Sequence, residues 1–214
     1  MTKHLTLHSI PMLAAVFAVA GYVGLAVYEV AASAPPIARV SVSPVQFIAT
    51  SGGLPDVAIE TAAGERTHLS ATDGYVRIAT LFYSHCPGVC PMTIDMLRGI
   101  ERKLSAEQRS KLHFVLLSLD PARDTPARLR ALATERAVNS SRWLLGRTSA
   151  ADVAAVAKAA HVQYRPLSDG SIDHSTSLVL LDTGGRVLAR ASDVEDPAEF
   201  VAAVHTALDA AGAR

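Results

Sequence analysis

Cys86 and Cys90 are the only cysteines of the 214-residue chain, and both lie in one stretch, LFYSHCPGVCPMT, residues 81–93. Two thiols four positions apart could exchange a disulfide, hold a metal ion, or sit inert in a core. The apolar run before them reads as a strand and the segment from Pro91 onward as a helix, so the pair marks a strand-to-helix switch, where α/β proteins build their sites. That position favours chemistry over inert packing. Proline suits the first helical position because its missing N–H costs nothing there. This places Cys90 at or near the helix N-cap, where unpaired backbone N–H groups favour a thiolate, and Cys90 is the thiol expected to react or ligate.

A thiol-disulfide exchanger normally carries C-x-x-C. Here the spacing is C-x-x-x-C. The extra residue, Gly88, still permits a disulfide, yet widens the loop enough for both sulfurs to face one ion. Soft thiolates select Cu(I), zinc or iron–sulfur iron. Two sulfurs cannot close a structural zinc site or a four-cysteine cluster, so a metal reading requires a third, distant ligand. The chain has eight histidines. His4 and His8 precede a long apolar run, and His68, His113, His161 and His205 sit in strand or helix contexts that suit surface or core roles. His85, next to Cys86, is a candidate for tuning the thiols without binding the ion. His174, in SIDHSTSLVLLD, begins a predicted strand beside Asp173 and is weak when taken alone.

The elements that must position these residues alternate. DVAIETAAGERTHLS reads as two short strands around Gly64, and YVRIATLFY as a buried central strand. After the cysteines, MTIDMLRGIERKL carries a helical stripe of Ile94, Leu97, Ile100 and Leu104. Next come the strand LHFVLLSL, the loop DPARDTP with Thr125 as N-cap, and the helix ARLRALATER. WLLG, the helix SAADVAAVAKAA, a hairpin turning at Thr183-Gly184-Gly185 and a helix begun at Pro197 complete the pattern. The class is α/β, a central mixed sheet flanked by helices.

Composition restricts the partners. Twenty basic residues balance twenty acidic ones, and no Lys/Arg cluster breaks that neutrality, which argues against nucleic acid. From His4 to Tyr28 there is no Asp, Glu, Lys or Arg, and IPMLAAVFAVAGYVGLAVYEV would span roughly 31 Å as a helix, about one bilayer core. Ala32-Ser33-Ala34 has the form of a cleavage site, but the apolar run is longer than a signal peptide requires and Pro35 follows at once, so an uncleaved anchor is expected. Residues 1–31 are read as that anchor, 32–53 as a proline-containing linker and 54–214 as the exported domain. The weak charge bias places the N-terminus in the cytoplasm.

FYSHCPGVCPMT, SLDPARDTP and DHSTSLVLLD, in this order, resemble the Sco/SenC family of membrane-anchored, thioredoxin-like copper chaperones for cytochrome c oxidase assembly. The resemblance runs from about Leu54 to Ala210. It implies a thioredoxin-like fold, Cu(I) or Cu(II) as the bound metal, and Cys86, Cys90 and His174 as its ligands, with Asp120 close to the site as a carboxylate donor or an orienting group. Asp124 is read as holding the turn ahead of the next helix. Gly88 departs from the polar residue that family members often carry between the cysteines. The implied partners are the copper-containing oxidase subunit and other copper chaperones or thioredoxin-like reductants. The implied location is a cell inner membrane, with the domain in the periplasm. The resemblance leaves two roles open: copper delivery, or a thiol-disulfide oxidoreductase, catalytic through Cys86 and Cys90, that keeps the oxidase subunit's cysteines reduced. An oxidising compartment makes the second role necessary.

Overall fold

A computed structural model describes residues 45–47, 52–192 and 197–213. The membrane anchor expected over residues 1–31 lies outside them. Among the described residues no helix is long and apolar enough to cross a membrane.

The chain alternates as its periodicities predict. Strands β1 (Val45–Phe47), β2 (Ala58–Thr61), β3 (Arg66–His68) and β4 (Val76–Phe82) lead to helix α1 (Val89–Lys103), the short helix α2 (Ala106–Ser110) and β5 (Leu112–Ser118). Then come α3 (Pro126–Glu135), β6 (Trp143–Arg147), α4 (Ala150–Ala159), β7 (Tyr164–Pro166), β8 (Ile172–His174), β9 (Leu178–Leu181), β10 (Val187–Ala191) and α5 (Ala198–Gly212). Eight strands form a mixed sheet in the order β1-β10-β9-β4-β5-β6-β2-β3, and β7 and β8 pair apart from it. Three residues of the expected linker therefore belong to the sheet, with β1 running antiparallel along β10.

Every residue of β4 and β9 is buried, as expected for strands covered on both faces. Helix α1 buries Ile94, Leu97 and Ile100 of the predicted stripe, and Leu104 is buried at its C-cap; each such side chain stabilises by about 1.5–3 kcal/mol. Among the described residues three charged side chains are buried in this core, Arg77, Asp124 and Asp182. Arg77 of β4 is 2% exposed and is held by Asp73 at 2.6 Å and by Thr72 and the Asp182 carbonyl, as a buried guanidinium must be.

Two features of this frame set up the site. Strands β4 and β5 run parallel with Phe82 opposite Ser118, so the cysteine loop and the DPARDTP loop leave the sheet at the same edge. Helix α1 starts earlier than expected, with Gly88 as its N-cap. Cys90 is thus inside the first turn and not at the cap, and Pro91 is the third helical residue. The first-turn N–H groups of a helix have no intrahelical acceptor, so proline is tolerated there as well.

Candidate metal centre

Three side chains converge. One donor atom from each of Cys86, Cys90 and His174 lies within 4.8 Å of the other two. His174 Nε2 is 3.7 Å from Cys90 Sγ, although 84 positions separate the two residues in the chain. Donors bonded at about 2.0–2.3 Å around one ion stand roughly 3.5–4.0 Å apart. The observed set is close to that spacing, and shifts smaller than a bond length would complete it. Both cysteines are free thiols.

Backbone groups orient each donor. His174 Nδ1 lies 3.1 Å from the Ser175 carbonyl. A carbonyl can only accept, so Nδ1 carries the proton and Nε2 keeps its lone pair for the thiols, as in most metal-binding histidines. The imidazole also meets the buried Tyr83 ring edge-on at 5.7 Å. His174 does not begin the long strand, as the sequence suggested. It ends β8, the second arm of a separate hairpin, while the sheet strand starts at Leu178. The hairpin turns through Asp169 and Gly170, where Asp169 Oδ1 accepts from the Ser171 N–H and Gly170 has φ +82°. That Asp-Gly pair is a turn signal, masked in the sequence by the stronger strand pattern beyond it.

The electrostatics reverse the expected order of the thiols. Burial is the largest single influence on Cys86 and opposes its charge, but N–H donation from Cys90 and Gly88, with help from the Cys90 thiol and the Tyr83 hydroxyl, outweighs it, so the Cys86 pKa is lowered. The Cys90 N–H lies 3.5 Å from Cys86 Sγ. The start of α1 therefore serves Cys86, because Cys90, one residue inside the helix, directs its own amide at its neighbour. Burial pushes the Cys90 thiol well up, and nearby Cys86 and Asp124 add to the shift. Cys86 is the thiol favoured to ionise.

The remaining predicted residues flank this cluster. Asp120 is bound by the Arg123 side chain and is not among the three converging donors. Exposed His85 places Nδ1 3.1 Å from Ser84 Oγ and 3.7 Å from Asp124 Oδ1; it too stays outside the donor set. His68, His113, His161 and His205 likewise do not enter it. Three supporting contacts leave no trace in the sequence, that of Asp124 among them, whose expected role was only to hold the turn ahead of α3. Asp124, fully buried, accepts from the Ser84 N–H, Arg128 binds both the hydroxyl and the carbonyl of Ser84, and the Tyr83 hydroxyl accepts from the Ile172 N–H at 3.3 Å. Each joins segments at least forty residues apart, a distance over which a sequence gives no local signal.

A mixed α/β domain with two thiols and an oriented imidazole at one loop edge defines a class: proteins that bind a soft metal ion on a redox-capable cysteine pair. The model of the SCO1/SenC family matches residues 58–209, and the chain belongs to that family. A protein of Stutzerimonas stutzeri named for copper binding is 33% identical over 109 residues, 48% of this chain and 51% of the relative. The chain thus spans about half the length of this curated relative. The copper-bound structure of yeast Sco1 superposes with a TM-score of 0.62 at 23% identity, covering 75% of this chain and 90% of that one. BsSco, described as a Sco-family cytochrome c oxidase assembly protein with a disulfide switch, superposes at 0.65 with 20% identity, covering 76% and 98%. These likenesses establish a thioredoxin-like Sco fold.

Proposed function

We propose that this chain is a copper metallochaperone that holds Cu(I) or Cu(II) on Cys86, Cys90 and His174 and delivers it to the copper-containing subunit of cytochrome c oxidase during assembly. The observation that carries this reading is the convergence of two sulfurs and one protonation-fixed imidazole within 4.8 Å. Two thiolates suit Cu(I), and the added nitrogen suits Cu(II), so one site serves both redox states. The copper-binding name of the Stutzerimonas relative, the copper-bound yeast structure and the oxidase-assembly description of BsSco support it. The apolar N-terminal run belongs to the same reading, as an anchor keeping the domain at the outer face of an inner membrane. The test is metal analysis of the full chain, purified in detergent, reduced and handled without oxygen. About one Cu(I) per chain is expected, with Cys86→Ser and Cys90→Ser each losing tight binding, because one thiolate and an imidazole make a much poorer soft site. Retention of Cu(I) by the double serine variant would overturn the reading.

A second reading, thiol-disulfide reduction of the oxidase subunit's cysteines, draws on the unequal thiols. A half-buried Cys86 with a lowered pKa beside a buried Cys90 with a raised one is the arrangement of an attacking and a resolving cysteine. It is tested by whether the reduced chain reduces a disulfide formed between the copper-ligand cysteines of that subunit.

A further inference from the structure

We propose that Arg123 is a strut that holds the His174 hairpin against the cysteine loop before any metal binds, and that Asp120 is the residue that sets the strut. The β7–β8 hairpin is not hydrogen-bonded into the main sheet, and an isolated two-stranded hairpin is marginal in water. His174 therefore depends on ties from outside its own ladder. Ile172 packs into the core and the Tyr83 ring meets His174, and two hydrogen-bonded ties add to them. One is the Tyr83 hydroxyl, which accepts the Ile172 N–H. The other is Arg123: its Nε donates to Asp120 Oδ2, and its Nη2 donates to the carbonyl of Gly170, forty-seven residues away at the hairpin turn. The turn is fitted to this contact. Gly170 occupies left-handed backbone, and a Cβ built there would stand 3.3 Å from Arg123 Nη1.

The chemistry explains the residue types. Arg123 is 44% exposed on its side chain, and a free arginine has many rotamers to lose. The Asp120 carboxylate, only 11% exposed, fixes the guanidinium through a charge-assisted bond to Nε and leaves Nη2 for the carbonyl. Lysine, a point charge on a flexible stem, cannot bridge both acceptors in that fixed geometry. Asp120 thus acts on the site through Arg123 and the hairpin, not by contact with the ion. Both are positioning residues.

The test has two readouts on the full chain, and only the second rests on the copper reading. In the reduced, metal-free protein, Arg123→Ala and Asp120→Ala should each speed amide hydrogen exchange across residues 164–174 by roughly ten-fold, as for loss of one charge-assisted hydrogen bond, while residues 76–82 keep their parental rates. Asp120→Asn, which retains an acceptor oxygen for Nε, should restore most of the protection, and Arg123→Lys should not. With Cu(II) added, Arg123→Ala should weaken the thiolate-to-copper charge-transfer band toward that of His174→Ala, with Cu(I) stoichiometry retained. Parental exchange at 164–174 in both alanine variants overturns the strut, as does equal acceleration throughout the domain. If the parent binds no copper, the function reading fails while the exchange result still decides the strut.

Discussion

Asp124 accepts the backbone N–H of Ser84 on both carboxylate oxygens, at 3.1 and 3.3 Å, across forty residues of chain. The carboxylate is fully buried and also takes the Ser118 hydroxyl at 2.5 Å. The DPARDTP loop is therefore the floor of the cysteine loop, and Arg128 braces the same serine from the next helix.

Removing that floor should be costly. Asp124→Ala leaves a half-buried N–H and a buried hydroxyl without their acceptor, which should lower stability by about 2–4 kcal/mol. Thermal unfolding of the reduced protein measures this, and Asp124→Asn, with one acceptor oxygen kept, should recover part of the loss. A parental melting temperature for Asp124→Ala would show that the contact does not hold the loop.

The two thiols should react in order. Cys86 has the lowered pKa and Cys90 the raised one, so alkylation of the reduced chain, followed by mass spectrometry, should label Cys86 first. A thiol reacts as its thiolate, and its rate falls as pH drops through its pKa. For Cys86 that fall should come at lower pH than for an ordinary cysteine, and Cys90 should gain reactivity only in strongly alkaline solution. Earlier labelling of Cys90 would return the helix amides to it and contradict the geometry.

Much of this was legible in the chain. The apolar runs of β4, β5 and β9 and the stripe of α1 are strong because burial on two faces, or on one helical face, leaves a long periodic record. The cysteine pair was legible because both members share one loop. What escaped depends on short or distant contacts. The three-residue strands β7 and β8 are too brief for periodicity to register beside a stronger neighbour, so His174 was assigned to the wrong strand. The start of α1 was misplaced by two residues because proline is acceptable anywhere in a first turn. That small error transferred the helix amides to the wrong sulfur.

His85→Ala should leave the copper stoichiometry unchanged. Its Nδ1 is engaged with Ser84 Oγ at 3.1 Å and lies near Asp124, so the ring can influence the loop without supplying a donor to the converging set. The expected effect is a change of a few-fold in Cys86 alkylation rate, the scale of losing one exposed hydrogen bond. Loss of copper from this variant would mean that the imidazole of the site had been assigned to the wrong histidine.

His174→Ala separates copper delivery from thiol reduction most sharply. The Ser175 carbonyl holds the proton on Nδ1 and leaves Nε2 facing Cys90, so the substitution removes the nitrogen donor and leaves both sulfurs in place. Cu(II), for which nitrogen coordination matters most, should no longer bind with its thiolate charge-transfer band. Cu(I) should weaken but persist on the two thiolates. Disulfide exchange needs no imidazole, and the Cys86–Cys90 pair should still oxidise and be reduced. In cells that depend on this chain, measurement of copper in the assembled oxidase then decides between the roles. Loss of oxidase copper with an intact dithiol supports delivery, whereas full oxidase assembly with a His174→Ala chain measured to retain neither copper state supports reduction of the partner's cysteines and sinks the carrier reading.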